Sequence, residues 1–138
     1  MVKGTDVAAQ AELLIGSRWL ANGRGPGIDC VGLVVLAARN AGLKITDDRR
    51  YDVKSPPPDM MVKLCSAHGT VRSRRERKPG MIFMVRPPGF PGVSHMGIIS
   101  SYNRAIHMDV CRRSVVVEDF SWLDSNCVLT IELNGLED

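Results

Sequence analysis

Cys30 sits in Asp29-Cys30-Val31-Gly32-Leu33, which places a thiol in the first turn of an expected helix, directly after the glycine-rich segment Asn22-Gly-Arg-Gly-Pro-Gly27. The first N–H groups of a helix have no partner inside it, and the aligned peptide dipoles make that end positive, so a thiolate there is stabilised. The thiolate is the form that attacks a carbonyl carbon. A buried helix cysteine acting as a small apolar core residue is the plainer reading, and the cysteine alone does not decide between the two. A base does. Ser94-His95-Met-Gly-Ile-Ile99 puts a histidine just ahead of an apolar strand, and Ala105-Ile106-His107 puts a second on the next one. A nucleophile, a base and a group that orients the base are the parts of covalent amide hydrolysis.

The two histidines share a sheet face if the loop between their strands has an odd number of residues, for instance Ser101 to Asn103, which makes them diagonal cross-strand neighbours. One ring nitrogen of His95 then takes the Cys30 proton while the other bonds His107, which holds the tautomer. The Cys30 backbone N–H is available to stabilise the oxyanion. That chemistry needs no cofactor.

Positioning these groups requires helices first and strands afterwards. Val7, Ala11, Leu14 and Ile15 recur at helical spacing from Asp6, an expected N-cap, to about Trp19. Asp29 to Ala41 is apolar on nearly every face, with Asp29 as cap and Gly42 past the end, and reads as a buried central helix. Residues 44–58 form a polar connector ending in Ser55-Pro-Pro-Pro58, and Asp59 then caps a short helix that runs to about His68, where Gly69 stops it. Arg72-Ser-Arg-Arg-Glu-Arg-Lys78 reads as a solvated loop, with an anionic ligand or partner as the alternative. Past Pro79-Gly80 five strands are expected, Met81 to Val85, Met96 to Ser100, Arg104 to Met108, Ser114 to Glu118 and Val128 to Leu133. This order predicts an α+β domain, an antiparallel sheet packed on helices, and residues 1–138 read as one domain.

Composition narrows the function classes. Of 138 residues, 44% are hydrophobic and 24% charged, as in a globular protein, and the +3 net charge falls short of a nucleic-acid binder, so no nucleic acid is expected as partner. No apolar run is long enough to span a membrane and no export signal is apparent, so no membrane partner is expected and synthesis is expected in a cytoplasm. The four cysteines then read as thiols. Zinc is the competing site, since Cys65-Ser-Ala-His68 and His107-Met-Asp-Val-Cys111 could give two ligands each, but it would take His107 from His95. Four cysteines without a Cys-x-x-Cys pair argue less for an iron–sulfur cluster, and Gly-Arg-Gly-Pro-Gly lacks the Gly-Lys-Ser/Thr ending of a phosphate loop. No metal is therefore expected. Trp122 is expected to pack, while Trp19, with Asp29 and Ser94, is expected to contact substrate in the cleft.

Ile15-Gly16-Ser17, the glycine-rich loop, Asp29-Cys30-Val31-Gly32-Leu33, Pro79-Gly80, His95-Met-Gly-Ile and Ile106-His107 fall in the order found in NlpC/p60 peptidases, a resemblance that spans residues 11–109. It implies a minimal papain-like fold, with Cys30, His95 and His107 as the three catalytic positions. It also implies hydrolysis of amide bonds in peptidoglycan stem peptides, commonly between D-glutamate and the diamino acid, through a thioester. Val31 stands where the family usually has serine, Trp19 where it has tyrosine, and Met81 where it has an acid. Gly23 to Leu33, with Arg112 to Glu118 followed by Trp122, is similar to the short versions encoded by phage tail modules and gene transfer agents. That narrower resemblance implies a virion tail-tip enzyme, made in the host cytoplasm, whose partners are hub or baseplate proteins. The reading from another class is a structural tail protein that keeps the fold and no longer cuts.

Overall fold

The computed structural model describes residues 1–52 and 57–137, so part of the expected Ser55-Pro-Pro-Pro58 connector lies outside the described residues. The Trp122 side chain, expected to pack, also lies outside them.

The first helix, α1 (Gly4–Glu12), buries Val7, Ala8 and Ala11. It starts earlier and ends earlier than the periodicity predicts. Lys3 is the N-cap, and Asp6, expected there, sits in the first turn, where its Oδ2 accepts the Lys3 N–H at 2.8 Å. Leu14 and Ile15 keep the helical spacing, but Gly16 has φ +92° and turns the chain, so Gly16 N–H donates to Val115 O and Trp19 pairs with Ile28 in an isolated bridge.

The second helix, α2 (Cys30–Ala41), matches its expected bounds at both ends. The Asp29 side chain accepts from Gly32 N–H at 2.8 Å, and Gly42 closes the helix in the left-handed conformation at φ 109°. Val31, Leu33, Val34, Val35, Ala37 and Ala38 are all buried. Each Val or Leu so buried contributes about 1.5 to 3 kcal/mol, which outweighs the modest helix propensity of β-branched residues. Gly32 is required by close approach, since a Cβ there would stand 2.4 Å from Gly23 O.

The third helix, α3 (Met60–Ser66), is shorter than expected, and β1 (Gly69–Ser73) begins at the glycine expected to stop it and runs into the stretch read as loop. Asp59 stands at its N-cap without a side-chain cap bond. The remaining strands are β2 (Ile82–Val85), β3 (His95–Ser101), β4 (Arg104–Asp109), β5 (Ser114–Asp119) and β6 (Cys127–Leu133), with a single-turn helix α4 (Ser121–Asp124) before the last. The five expected strands are present and the antiparallel sheet has six, in the order β1-β6-β2-β3-β4-β5. The unforeseen strand takes in the first two residues of the arginine-rich stretch, Arg72 and Ser73. Four of the five cations of that stretch are paired internally: Arg72 and Lys78 meet Glu132, and Arg74 and Arg77 meet Asp124. Strand β1 shows no alternation of buried and exposed residues, so period two carries no signal there.

Helices α1 and α2 pack against each other and on β3, so the α+β layering is as the element order predicts. Alternation divides the sheet residues between two apolar clusters. Met96, Ile98, Ile106 and Met108 join the cluster of α2, while Phe83, Ile99 and Ala105 join Phe120 and Leu123 in another.

Candidate active site

Cys30 is the first residue of α2, and its surroundings are built by Asp29. Besides the Gly32 N–H, the Asp29 carboxylate accepts from Asn22 N–H at 2.9 Å, from Arg24 Nη1 at 3.2 Å and from the Tyr51 hydroxyl at 2.5 Å. Arg24 also reaches both oxygens of Asp47 and the Tyr51 hydroxyl. The loop before Cys30 is thereby stitched to residues 47–51. Asp29 is 1% exposed, and both its oxygens are taken up by these donors. It holds the helix end in place.

The thiol itself departs from expectation. Burial pushes the Cys30 pKa up to about 12, with the Asp29 charge adding to the rise, while backbone N–H groups of Met96, Val31 and Cys30 pull it down. Burial and a carboxylate one residue away thus outweigh those N–H groups and favour the neutral thiol. The neutral thiol must give up its proton as it attacks.

His95 opens β3, and burial followed by the neighbouring His107 pushes its pKa down to about 3. The ring is a neutral acceptor at ordinary pH. Its Nε2 lies 3.0 Å from Nδ1 of His107, with the ring centroids 5.1 Å apart and the planes near perpendicular. This is the diagonal relation predicted from hairpin parity. Gly97 pairs with His107 across the β3–β4 ladder, which sets His95 two residues further along the same face. The parity is reached by a different route, since Ser101 pairs with Arg104 and the register shifts between Ile99 and Ser101. A two-residue turn plus one bulged residue does the work of the expected three-residue loop.

Cys30, His95, Trp19, Asp29 and Ser94 line one cavity of about 80 Å³, together with Tyr51, Asp52, Met61, Met108 and Val110. The fold thus brings together all the expected cleft residues, and His107 stands behind His95, 2% exposed. Ser94 and His95 also line a second and larger cavity with Pro87, Phe90, Val110 and Leu123. Trp19 is half-buried, stacks under the Arg113 guanidinium at 5.2 Å, and joins the cleft to a third cavity lined by Arg18, Arg112 and Arg113.

The two pairs considered for zinc are not brought together. His68 Nε2 accepts the Thr46 N–H, and both nitrogens of His107 face other side chains. Among the described residues no group of three or more His, Cys, Asp or Glu is placed to hold a metal ion.

Sequence reasoning missed Tyr51, Arg24 and Glu118. Glu118 Oε2 lies 3.1 Å from Nε2 of His107, and its Oε1 accepts from Arg112 Nη1 at 3.0 Å. The signal was present in β5, where Glu118 interrupts an apolar run. His107 pairs with Val116, so Glu118 is its diagonal neighbour on the same face. Tyr51 and Arg24 left no such signal, because their meeting depends on how two loops fold together. A thiol, a neutral imidazole in the same cavity and a second imidazole behind it can together carry out nucleophilic attack with proton transfer.

No family model matches the chain, and no curated protein matches it. Solved structures do. The NlpC/p60 domain of the peptidoglycan hydrolase SagA superposes with a TM-score of 0.71 at 23% identity, covering 96% of this chain and 100% of that one. NlpC1 from Trichomonas vaginalis gives 0.71 at 22% identity, covering 94% of this chain and 43% of that one. An NlpC/p60 family protein from Bacillus cereus gives 0.71 at 17% identity, covering 94% and 40%. This chain spans less than half the length of the latter two proteins. The helices and the antiparallel sheet described above are therefore those of the NlpC/p60 fold.

Proposed function

We propose that this protein is a cysteine endopeptidase that hydrolyses amide bonds in peptidoglycan stem peptides. The observation that carries the reading is the shared cavity of Cys30 and His95, with His95 bonded at 3.0 Å to His107. The NlpC/p60 fold, which SagA shares, supports the substrate class. In the first step the Cys30 proton passes to His95 Nδ1 as the sulfur attacks the amide carbonyl carbon. Backbone N–H groups at the start of α2 face the sulfur, and that of Cys30 stabilises the oxyanion. His95 then gives its proton to the leaving amine, and a thioester remains. Water, deprotonated by His95, releases the acyl product, and the thiol recovers its proton. The residues described here use no cofactor in these steps.

The finer parts of the proposal are the bond between D-glutamate and the diamino acid, and delivery by a phage tail tip with hub or baseplate proteins as neighbours. The support for the tail assignment is the similarity of Gly23 to Leu33 to the short tail-encoded versions. The test is digestion of diaminopimelate-type peptidoglycan by the parent protein and by Cys30→Ala, with products identified by mass spectrometry. Stem-peptide fragments from the parent alone are expected, and they name the bond. Equal fragments from both would remove Cys30 as nucleophile. None from either would favour a structural tail protein with a silent fold.

A further inference from the structure

We infer that Glu118 sets the direction of the proton chain, making Nδ1 the basic atom of His95, which lines one cavity with Cys30. The inference rests on the peptidase reading only in assuming that this basicity is used. A carboxylate accepts hydrogen bonds and donates none, whereas a neutral imidazole has one donor nitrogen and one acceptor. Glu118 Oε2 stands 3.1 Å from His107 Nε2, so that nitrogen carries the proton and His107 Nδ1 is left as an acceptor. His95 Nε2 stands 3.0 Å from that acceptor and so carries the proton of the second bond. Nδ1 of His95 is then bare. Two neutral rings linked nitrogen to nitrogen could equally be polarised the other way, with a proton on Nδ1 of each. His95 could not then accept the Cys30 proton.

The carboxylate at the end of the chain removes that ambiguity, and Arg112, donating to Oε1 at 3.0 Å, holds it in place. The side chains around the chain leave it little freedom. His107 is 2% exposed, with the Phe83 ring edge-on at 6.4 Å between ring centres, and Arg112 also reaches Asp109 at 3.5 Å. Glu118 is thus a positioning residue that acts through two imidazoles, and Val116, not Glu118, is the residue paired with His107 in the ladder.

Glu118→Gln keeps the shape and replaces an obligate acceptor with an amide that can accept or donate. The test uses the full chain labelled with ¹⁵N at histidine, and reads the ring tautomers by long-range ¹H–¹⁵N correlation. It also measures the rate of Cys30 alkylation by iodoacetamide, followed on the Cys30 peptide by mass spectrometry. In the parent, both His95 and His107 are expected with the proton on Nε2. In Glu118→Gln a population of His95 with the proton on Nδ1 is expected, with Cys30 alkylation slowed by roughly tenfold or more, since a wrong tautomer in a catalytic triad costs about 10⁴. Glu118→Asp, which restores an obligate acceptor, is expected to recover the parent tautomer. A parent His95 protonated on Nδ1, or a Gln variant with parent tautomers and alkylation rate, would overturn the inference. Neither readout involves peptidoglycan. Loss of the peptidase reading would therefore leave the tautomer result standing, and a cleaving enzyme indifferent to Glu118→Gln would do the reverse.

Discussion

Asp29 and Glu118 each hold one half of the site, Asp29 the helix end that carries Cys30, and Glu118 the imidazole pair on β3 and β4. Asp29 is buried and takes four donors, from Asn22, Arg24, Gly32 and Tyr51, so it is a fastening for the backbone. Its charge also raises the thiol pKa, which works against a resting thiolate. Glu118 keeps 17% of its side chain exposed and meets the second imidazole of a chain that ends at the base. One carboxylate gives the nucleophile its place at a cost in acidity, and the other gives the base its direction. Geometry and proton affinity are therefore supplied from opposite sides of the cleft.

The largest consequence falls on the Asp29 side. Asp29→Ala removes the cap and strips a partner from half-buried Arg24, and is expected to destabilise the fold by about 3 kcal/mol or more, read as a lower urea midpoint. A midpoint within error of the parent would show that the stitched loop is not what holds α2. On the other side, His107→Ala is expected to keep the fold and lower kcat by on the order of a hundredfold, about 2.7 kcal/mol, with KM little changed. A variant as fast as the parent would leave His95 self-sufficient.

The remaining effect is one of pH. The folded His95 pKa of about 3 lies below the ordinary 6.5, so between these values the unfolded chain binds a proton that the folded chain refuses. The stability contributed by the neutral ring is complete above pH about 6.5 and is lost as the pH falls towards 3. Urea titrations from pH 7 to about 4 should show a steeper fall for the parent than for His95→Ala. Parallel curves would mean that the ring is not held neutral by burial.

How far the site could be read beforehand follows from the same contrast. The Asp29 cap, the start of α2 at Cys30 and its end at Gly42 involve bonds across three or four residues, and the sequence pattern shows them directly. The His95 and His107 pairing was legible as parity, because side chains alternate along a strand whatever the turn, although the turn itself was misjudged by one bulge. Strand β1 escaped notice because it shows no alternation of buried and exposed residues, and because its partner β6, where Glu132 meets Arg72, is distant in sequence.

Local order in the chain thus settled the α+β layering, the cap and helix that carry the thiol, and the shared face of the two histidines, since these depend on backbone bonds and periodicity within a few residues. Tertiary structure alone decided that Cys30 and His95 line one cavity and that Tyr51 and Arg24 close around Asp29. It also decided that the thiol rests neutral, because desolvation is the sum of everything packed around a group, and that sum exists only once distant segments have met.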